Sequence, residues 1–226
     1  MLYLDRVGLT VGETTVLRDV TLDVDVRTLA VIGDNGSGKS SFARVIGGLV
    51  RPTTGTVWVL GVEPRDRSGA LRKRTALVFS NPDTQIIMPT VVEDVAFSLR
   101  GEGLSKQEQV ARARAALAPF GLAELADASA HELSSGQKQL LALCGAFVRD
   151  PDLVIADEPT AYLDARNARA VADHLFAPDG HRLVLVTHDL ALAARCDAAV
   201  LFADGRVAEV GTADAVIARY ERELAC

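Results

Sequence analysis

The chain has 226 residues, a formal net charge of −6 and three cysteines. Its length suits one α/β domain with a sizeable core, and we expect a single domain spanning residues 1–226. The acidic balance argues against nucleic acid as a partner, because binding to a phosphate backbone normally requires an excess of Lys and Arg. Cys144, Cys196 and Cys226 form no CxxC pair and have no metal-ligand spacing, so we expect reduced thiols.

The first predicted elements are two alternating strands, at residues 2–9 and 16–24, which indicate a half-buried antiparallel sheet. The opening segment, MLYLDRVGL, lacks the apolar region of a signal peptide. A third strand, TLAVI at residues 28–32, is apolar throughout and runs into a glycine loop, as a buried parallel strand does. A helix is predicted to follow from about residue 38 to residue 49.

Four later apolar runs predict further core strands, with helical segments between most of them. This alternation is typical of a parallel sheet with helices on both faces. The longest apolar run, residues 140–148, is far shorter than the roughly 20 residues that a membrane-spanning helix needs. We therefore expect a soluble, cytoplasmic chain with no direct membrane span, which reaches the membrane through a partner. The four runs are residues 76–79, 153–156, 183–186 and 199–202.

The segment from about residue 82 to residue 149 differs from the rest because it is mostly helical. Two capping boxes are predicted in it, Thr90 with Glu93 and Ser105 with Glu108. Because the segment lies between two core strands, we interpret it as an inserted helical subdomain.

Residues 33–40, GDNGSGKS, fit the pattern G-x-x-x-x-G-K-[ST], and they follow a strand and open a helix as that pattern requires. Glycines let successive backbone N–H groups turn towards phosphate oxygens, and the helix N-terminus adds a positive dipole end. Lys39 is expected to reach the β- and γ-phosphates, and Ser40 to ligate Mg²⁺. A chance glycine turn is the alternative. The remaining expected nucleotide contacts are Asn35, Gly36, Ser37, Gly38 and Ser41.

Two adjacent carboxylates, Asp157 and Glu158, end the apolar run LVIA. At a strand tip Asp157 is suited to hold Mg²⁺, and Glu158 is suited to polarise an attacking water. Paired carboxylates also commonly just end a strand at the surface, but the upstream phosphate loop favours the catalytic interpretation.

The sequence LSSGQ, residues 133–137, precedes a strongly apolar helix. Small residues at a helix start expose N–H groups that bind anions, although an ordinary serine N-cap would also explain Ser134. The order of phosphate loop, LSSGQ and acidic pair resembles the ABC ATPase family along nearly the whole chain. The family signature is LSGGQ, from which this chain departs at Ser135.

The resemblance implies an α/β P-loop NTPase fold with a parallel core sheet, an N-terminal antiparallel β subdomain and an inserted helical subdomain. It also implies a dimer of ATPase subunits, in which the signature of one subunit covers the ATP held by the other. Ser134, Ser135, Gly136 and Gln137 would then contact the nucleotide across the interface.

Three further positions are assigned by the resemblance alone. Gln85 matches a glutamine that senses Mg²⁺ and the transporter, Asp164 matches the D-loop, and His188 matches a histidine that holds the γ-phosphate and the attacking water. Tyr162 replaces a usually small residue. An aromatic that stacks on adenine is missing between the first two strands, and Tyr3 lies earlier, in the first. The other histidines, His131, His174 and His181, match nothing and are expected at the surface.

The loop NPDTQ and the following IIMPTV, residues 81–91, resemble the ATPases of energy-coupling-factor importers. The resemblance implies ATP and Mg²⁺ as cofactors, and biotin as the transported micronutrient, with cobalt, nickel or another vitamin as alternatives. It implies a transmembrane coupling protein and a substrate-binding membrane protein as partners, so the chain would be peripheral on the inner face of the cell membrane. A small-molecule P-loop kinase is the alternative from another class, but it would have no use for LSSGQ.

Overall fold

The structure is a computed structural model that describes residues 1–63, 69–178 and 180–224. The chain forms two compact units. The first comprises Met1–Thr75, Asp152–Glu158 and His181–Cys226, and the second comprises Ala76–Pro151 and Pro159–Gly180. Cys226, predicted to be a reduced thiol, lies outside the described residues.

Strands and helices alternate through most of the chain. The elements are, in order, β1 (Leu2–Val11), β2 (Thr14–Val24), β3 (Thr28–Ile32), α1 (Lys39–Ile46), β4 (Thr54–Val59), α2 (Gly69–Arg74), β5 (Thr75–Val78), α3 (Val91–Ser98), α4 (Lys106–Leu117), α5 (Ser135–Phe147), β6 (Leu153–Asp157), α6 (Ala165–Leu175), β7 (Arg182–Val186), α7 (Leu190–Ala193), β8 (Ala198–Ala203), β9 (Arg206–Thr212) and α8 (Ala213–Leu224).

The first unit contains a three-stranded antiparallel sheet in the order β2, β1, β4. Leu2 and Leu4 are buried on one face of β1 while Tyr3 between them is exposed, which is the alternation of a half-buried sheet. The prediction of an antiparallel N-terminal sheet is confirmed. The sequence did not predict β4, because TGTVWV is short and begins with residues that favour turns.

The larger sheet of the first unit has the order β6, β7, β3, β8, β9, and its strands are parallel except for β9. Every residue of β3 and β6 is buried, as expected for strands covered on both faces. The predicted parallel core is confirmed. The edge strand β9 was not predicted, because its residues alternate between exposed and half-buried positions and carry no apolar run.

Helix α1 is shorter than predicted, since it ends at Ile46 before two glycines. Its Phe42 is fully buried against Phe202 of β8, with ring centroids 5.1 Å apart. Because α1 starts at the end of the phosphate loop, this aromatic contact fixes the helix that carries Lys39.

The second unit is mainly helical and contains the predicted helical segment, residues 82–149, within its Ala76–Pro151 portion. The capping box at Ser105 is complete, with reciprocal bonds to Glu108. The box predicted at Thr90 forms only in part, because the Glu93 carboxylate accepts from the Thr90 hydroxyl rather than from its N–H.

The expectation of surface histidines is correct for His131 and wrong for His181, which is only 6% exposed. His174 is half-buried and stacks on Phe120 at 4.1 Å between centroids, and burial lowers its pKa. Burial also raises the pKa of both Cys144 and Cys196 to about 12, so both are protonated thiols, as expected. Across the described ranges, no helix has the length and apolar character needed to cross a bilayer.

Phe42→Ala should destabilise the first unit by about 3–5 kcal/mol, because it removes a fully buried ring and leaves a cavity. At roughly 2–4 °C per kcal/mol for a chain of this size, the melting temperature should fall by roughly 6–20 °C. Phe42→Leu should lower the melting temperature less, and Val110→Ala, at a partly exposed position on α4, should melt almost like the wild type. Wild-type melting of Phe42→Ala would contradict the packing of Phe42 against Phe202.

Candidate active site

The phosphate loop connects the buried strand β3 to α1. Gly33, Gly36 and Gly38 have φ angles of 135°, 81° and 105°, and this glycine-only geometry folds the loop back on itself. Gly38, the N-cap residue of α1, has no side chain with which to cap the helix, so the first N–H groups of α1 are available to another acceptor. Asn35 and Gly36 form the exposed tip of the loop, and Ser41 is half-buried in the first turn of the helix.

The Lys39 side chain is buried within the phosphate loop. Its Nζ donates to the carbonyl oxygens of Gly33 and Asp34, both at 2.7 Å. Burial lowers the pKa of Lys39, while the carboxylates of Glu158 and Asp157 act in the opposite direction. Ser37 Oγ is also buried, and it has no hydrogen-bond partner among the described residues. The loop thus concentrates a cation and an unsatisfied polar atom, which fits an anionic ligand.

Ser40 and Asp157, the two side chains expected to hold Mg²⁺, are in direct contact, with Ser40 Oγ donating to Asp157 Oδ1 at 3.1 Å. Burial raises the pKa of Asp157, and the hydroxyl of Ser40 partly opposes that shift. A desolvated carboxylate beside a hydroxyl is a donor set that suits Mg²⁺, whose other ligands would be water and phosphate oxygens. Within the described residues there is no group of three or more His, Cys, Asp or Glu side chains placed to hold a metal without such help.

Glu158 and His188 form a direct contact, with His188 Nδ1 2.8 Å from Glu158 Oε2. The Glu158 side chain is 21% exposed and that of His188 is 71% exposed, so the pair lies where solvent reaches. Glu158 has a φ of 51°, and its N–H donates to Val186 O at 2.9 Å. A left-handed backbone at a glutamate costs of order 1–3 kcal/mol and is held here by the neighbouring strand, a pattern common at functional sites.

Tyr220 of α8 is a site neighbour that the sequence analysis did not find. Its hydroxyl donates to Asp34 Oδ1 at 2.8 Å. Burial raises the pKa of Tyr220 to about 12, and the Asp34 carboxylate adds to that shift. The contact holds the one acidic side chain of the phosphate loop. No sequence pattern signals it, because the two residues are 186 positions apart.

Gln85 lies in the second unit, and its amide is satisfied at both ends by backbone. Oε1 accepts from the N–H of Phe79 at 2.8 Å, and Nε2 donates to the carbonyl of Leu77 at 2.9 Å. For Gln85 to hold Mg²⁺ as expected, it would have to use the second lone pair of Oε1 or exchange the bond that this oxygen accepts.

The signature residues, also in the second unit, form the start of α5. Ser134 is the N-cap and makes a complete capping box with Gln137, whose Oε1 accepts from Ser134 N–H at 2.9 Å. Ser134 and Ser135 are exposed, whereas Gly136 is buried. Ser134 and Gln137 therefore cap α5, and they are also among the residues expected to contact the nucleotide. A cavity of about 560 Å³ within this unit borders Ser135.

Asp164 is the N-cap of α6. Its Oδ1 accepts from the N–H groups of Arg166 and Asn167, and its Oδ2 accepts from Asn167 Nδ2 at 2.7 Å. Tyr162, just before it, is 92% exposed with a φ of 65°.

The first unit brings together five of the predicted side chains, those of Lys39, Ser40, Asp157, Glu158 and His188. Gln85, the signature residues and Asp164 belong to the second unit.

Tyr3 is not placed to stack on a base at the phosphate loop. It pairs with Asp23 of β2, whereas the backbone next to Gly38 is that of Val16, seven residues along the same strand. At about 3.3 Å per residue, the separation is roughly 23 Å.

Residues 17–161 match the family model described as ABC transporter. The biotin transport ATP-binding protein BioM of Rhizobium etli is 42% identical, over 98% of this chain and 97% of its own. The energy-coupling factor transporter ATP-binding protein EcfA1 of Symbiobacterium thermophilum is 41% identical, over 89% of this chain and 73% of its own. A solved dimeric ATP-binding cassette in a post-hydrolysis state, bound to ADP and Pi, is 28% identical and has a TM-score of 0.81, covering 94% of this chain and 99% of its own.

The similarities cover nearly the whole chain, and they include the phosphate loop and the acidic pair that meet at the carboxyl ends of β3 and β6. The chain belongs to the ABC transporter family, as one of its ATP-binding and ATP-hydrolysing subunits.

Proposed function

We propose that this chain is the ATPase of an energy-coupling-factor importer and that the transported micronutrient is biotin. The observation that carries the proposal is the 42% identity, over 98% of the chain, to a protein named for biotin transport. The likeness to an energy-coupling factor ATPase supports the importer type. Cobalt, nickel or another vitamin is the competing cargo.

In the proposed reaction, Lys39 leaves its two loop carbonyls to bind the β- and γ-phosphates. Ser40 and Asp157 would hold Mg²⁺, which supplies charge neutralisation of the phosphate oxygens. The strand end then presents Glu158 as the group that takes a proton from the attacking water.

His188 is proposed to orient this step. Its contact with Glu158 fixes the carboxylate, and the other ring nitrogen is left to face the γ-phosphate. Both residues follow buried parallel strands, so their positions are set by backbone rather than by long flexible side chains.

We further propose that two ATPase subunits pair, so that Ser134, Ser135 and Gly136 of one subunit contact the ATP of the other. The support is local geometry: α5 begins at an exposed serine beside an open cavity, and helix N-termini favour anions. A small-molecule kinase would need an acceptor site instead, and it would not explain this helix start.

The transporter contact is proposed at the loop that follows Gln85. Ile87 is 62% exposed, while Ile86 beside it is buried, so Ile87 rather than Ile86 is free to enter a partner. The loop is rigid, because the buried carboxylate of Asp94 accepts from the N–H groups of both Ile87 and Met88. An exposed apolar side chain on a rigid loop suits a helix of a transmembrane coupling protein.

Glu158→Gln should keep ATP affinity but slow hydrolysis by about 10²-fold or more, because the amide cannot accept the proton of the attacking water. It should also trap a dimer in the presence of ATP. Phosphate release and size-exclusion chromatography measure the two effects. Glu124→Gln, at an exposed position, is the control and should hydrolyse ATP normally. Wild-type turnover in Glu158→Gln would remove Glu158 from the role of base.

Mixing Lys39→Ala chains with Ser135→Glu chains, both in a Glu158→Gln background, should restore nucleotide occlusion at one composite site per pair. Ser135 is exposed, so a glutamate there should fold while repelling the partner's ATP. Each variant alone should occlude little, and Ser135→Gly should occlude normally. Occlusion is measured with labelled ATP, and a mixture no better than its components would argue against shared sites.

Ile87→Asp should abolish co-purification with the transmembrane coupling protein while leaving basal ATP hydrolysis intact, since the change is confined to an exposed side chain. Val110→Asp, a partly exposed apolar position elsewhere in the same unit, should retain the complex.

In cells, Lys39→Ala should stop uptake of labelled biotin. Normal biotin uptake with lost cobalt, nickel or other vitamin uptake would keep the importer type and reject the cargo.

A further inference from the structure

The start of α5 is in unusually close contact with a side chain of α6. A methyl group at Gly136 would lie 2.7 Å from Asn167 Oδ1, and closer still to the Cγ and Nδ2 atoms of the same amide. Real Cβ atoms essentially never lie within 3.0 Å of such a neighbour, so a side chain at Gly136 would force something to shift. The amide of Asn167 therefore occupies the space where a side chain on the buried Gly136 would lie.

Asn167 is held in this position from its other side. Its Nδ2 donates to Asp164 Oδ2 at 2.7 Å, and its own N–H donates to Asp164 Oδ1 at 2.9 Å. These hydrogen bonds lower the pKa of Asp164, so the carboxylate that holds the amide is charged at neutral pH. Asp164 and Asn167 together form one fixed support against which the first turn of α5 rests.

We propose that Asn167 is a positioning residue for the signature: it sets where the first turn of α5 lies, and therefore where the exposed residues Ser134 and Ser135 meet the partner subunit's ATP. The inference rests on the proposed function of that helix start. It assigns to Asn167 a part in turnover and pairing, but none in the binding of ATP to the subunit's own phosphate loop, whose residues belong to the first unit.

This role predicts a specific split between kinetic quantities. Changes at Asn167 alter kcat and ATP-dependent dimer formation, whereas the affinity of a single subunit for a fluorescent ATP analogue stays the same. A residue that merely stabilised the fold would shift the melting temperature without this split.

A double-mutant cycle on the contact tests the inference. Gly136→Ala should lower kcat at least about tenfold, which corresponds to about 1.4 kcal/mol, because the new methyl group displaces either the amide or the helix start. Asn167→Ala removes the three atoms that the methyl group meets. The kcat of the double variant, Gly136→Ala with Asn167→Ala, should therefore lie within about threefold of the kcat of Asn167→Ala alone. Asn167→Asp keeps the shape but places a second carboxylate beside Asp164, and it should lower kcat through repulsion.

Two matched controls accompany the cycle. Gly145→Ala adds a methyl group to the same helix, where its nearest neighbour is Ser98 Oγ at 3.2 Å, and it should hydrolyse ATP at close to the wild-type rate. Arg169→Ala changes an exposed side chain of α6 and should be silent.

Full turnover by Gly136→Ala with Asn167 present, or no rescue in the double variant, would overturn the inference, provided that Lys39→Ala is inactive in the same assay. Wild-type hydrolysis by Lys39→Ala would overturn the proposed function and this inference with it. Reduced affinity for the ATP analogue in Asn167→Ala would also contradict the positioning role.

Discussion

The chemistry of the first unit depends on the register of three buried parallel strands. Val31 of β3 pairs with Val186 of β7, and Val186 pairs in turn with Asp157 of β6. The three strands therefore end at one level, and the residues just beyond each strand meet at the same edge of the sheet. These residues are the phosphate loop after β3, Glu158 after β6 and His188 after β7. A shift of one residue in any strand would turn its last side chain to the other face, so the site depends on backbone pairing before it depends on any side chain.

The same burial that fixes the strand ends sets the electrostatics. Burial lowers the pKa of Lys39 and raises that of Asp157, so desolvation disfavours the charged form of each. A nucleotide triphosphate with its cation brings the opposite charge to each group, which favours both charged forms. The burial of Lys39 and Asp157 disfavours their charges when no ligand is bound. The same burial therefore favours a ligand that brings a negative charge to Lys39 and a positive charge to Asp157.

The sequence predicted those features that depend on local pattern. Strands β3, β6 and β7 are short apolar runs that end at a glycine, a carboxylate or a threonine, and the phosphate loop is defined by residue spacing between a strand and a helix. Strand β4 was missed because it is short and begins with turn-favouring residues, and β9 was missed because its exposed and half-buried positions alternate without an apolar run. The burial of His181 and the contacts of Tyr220 with Asp34 and of Asn167 with Gly136 were also missed. These features arise when distant segments pack, and no local pattern encodes which side chain will fill a given space.

The departure of this chain from the family signature has a structural explanation in the second unit. The signature LSGGQ has two glycines, and this chain keeps the second and replaces the first by Ser135. Ser135 is the exposed first residue of α5, where serine is well tolerated, whereas Gly136 is buried where Asn167 leaves no room for a Cβ atom. The two glycines are thus under different constraints. A side chain at the first changes what the helix start presents outward, and a side chain at the second changes where the helix start lies. Replacing the first glycine by Ser135 leaves the support of the first turn of α5 by Asp164 and Asn167 unchanged, because Ser135 is exposed.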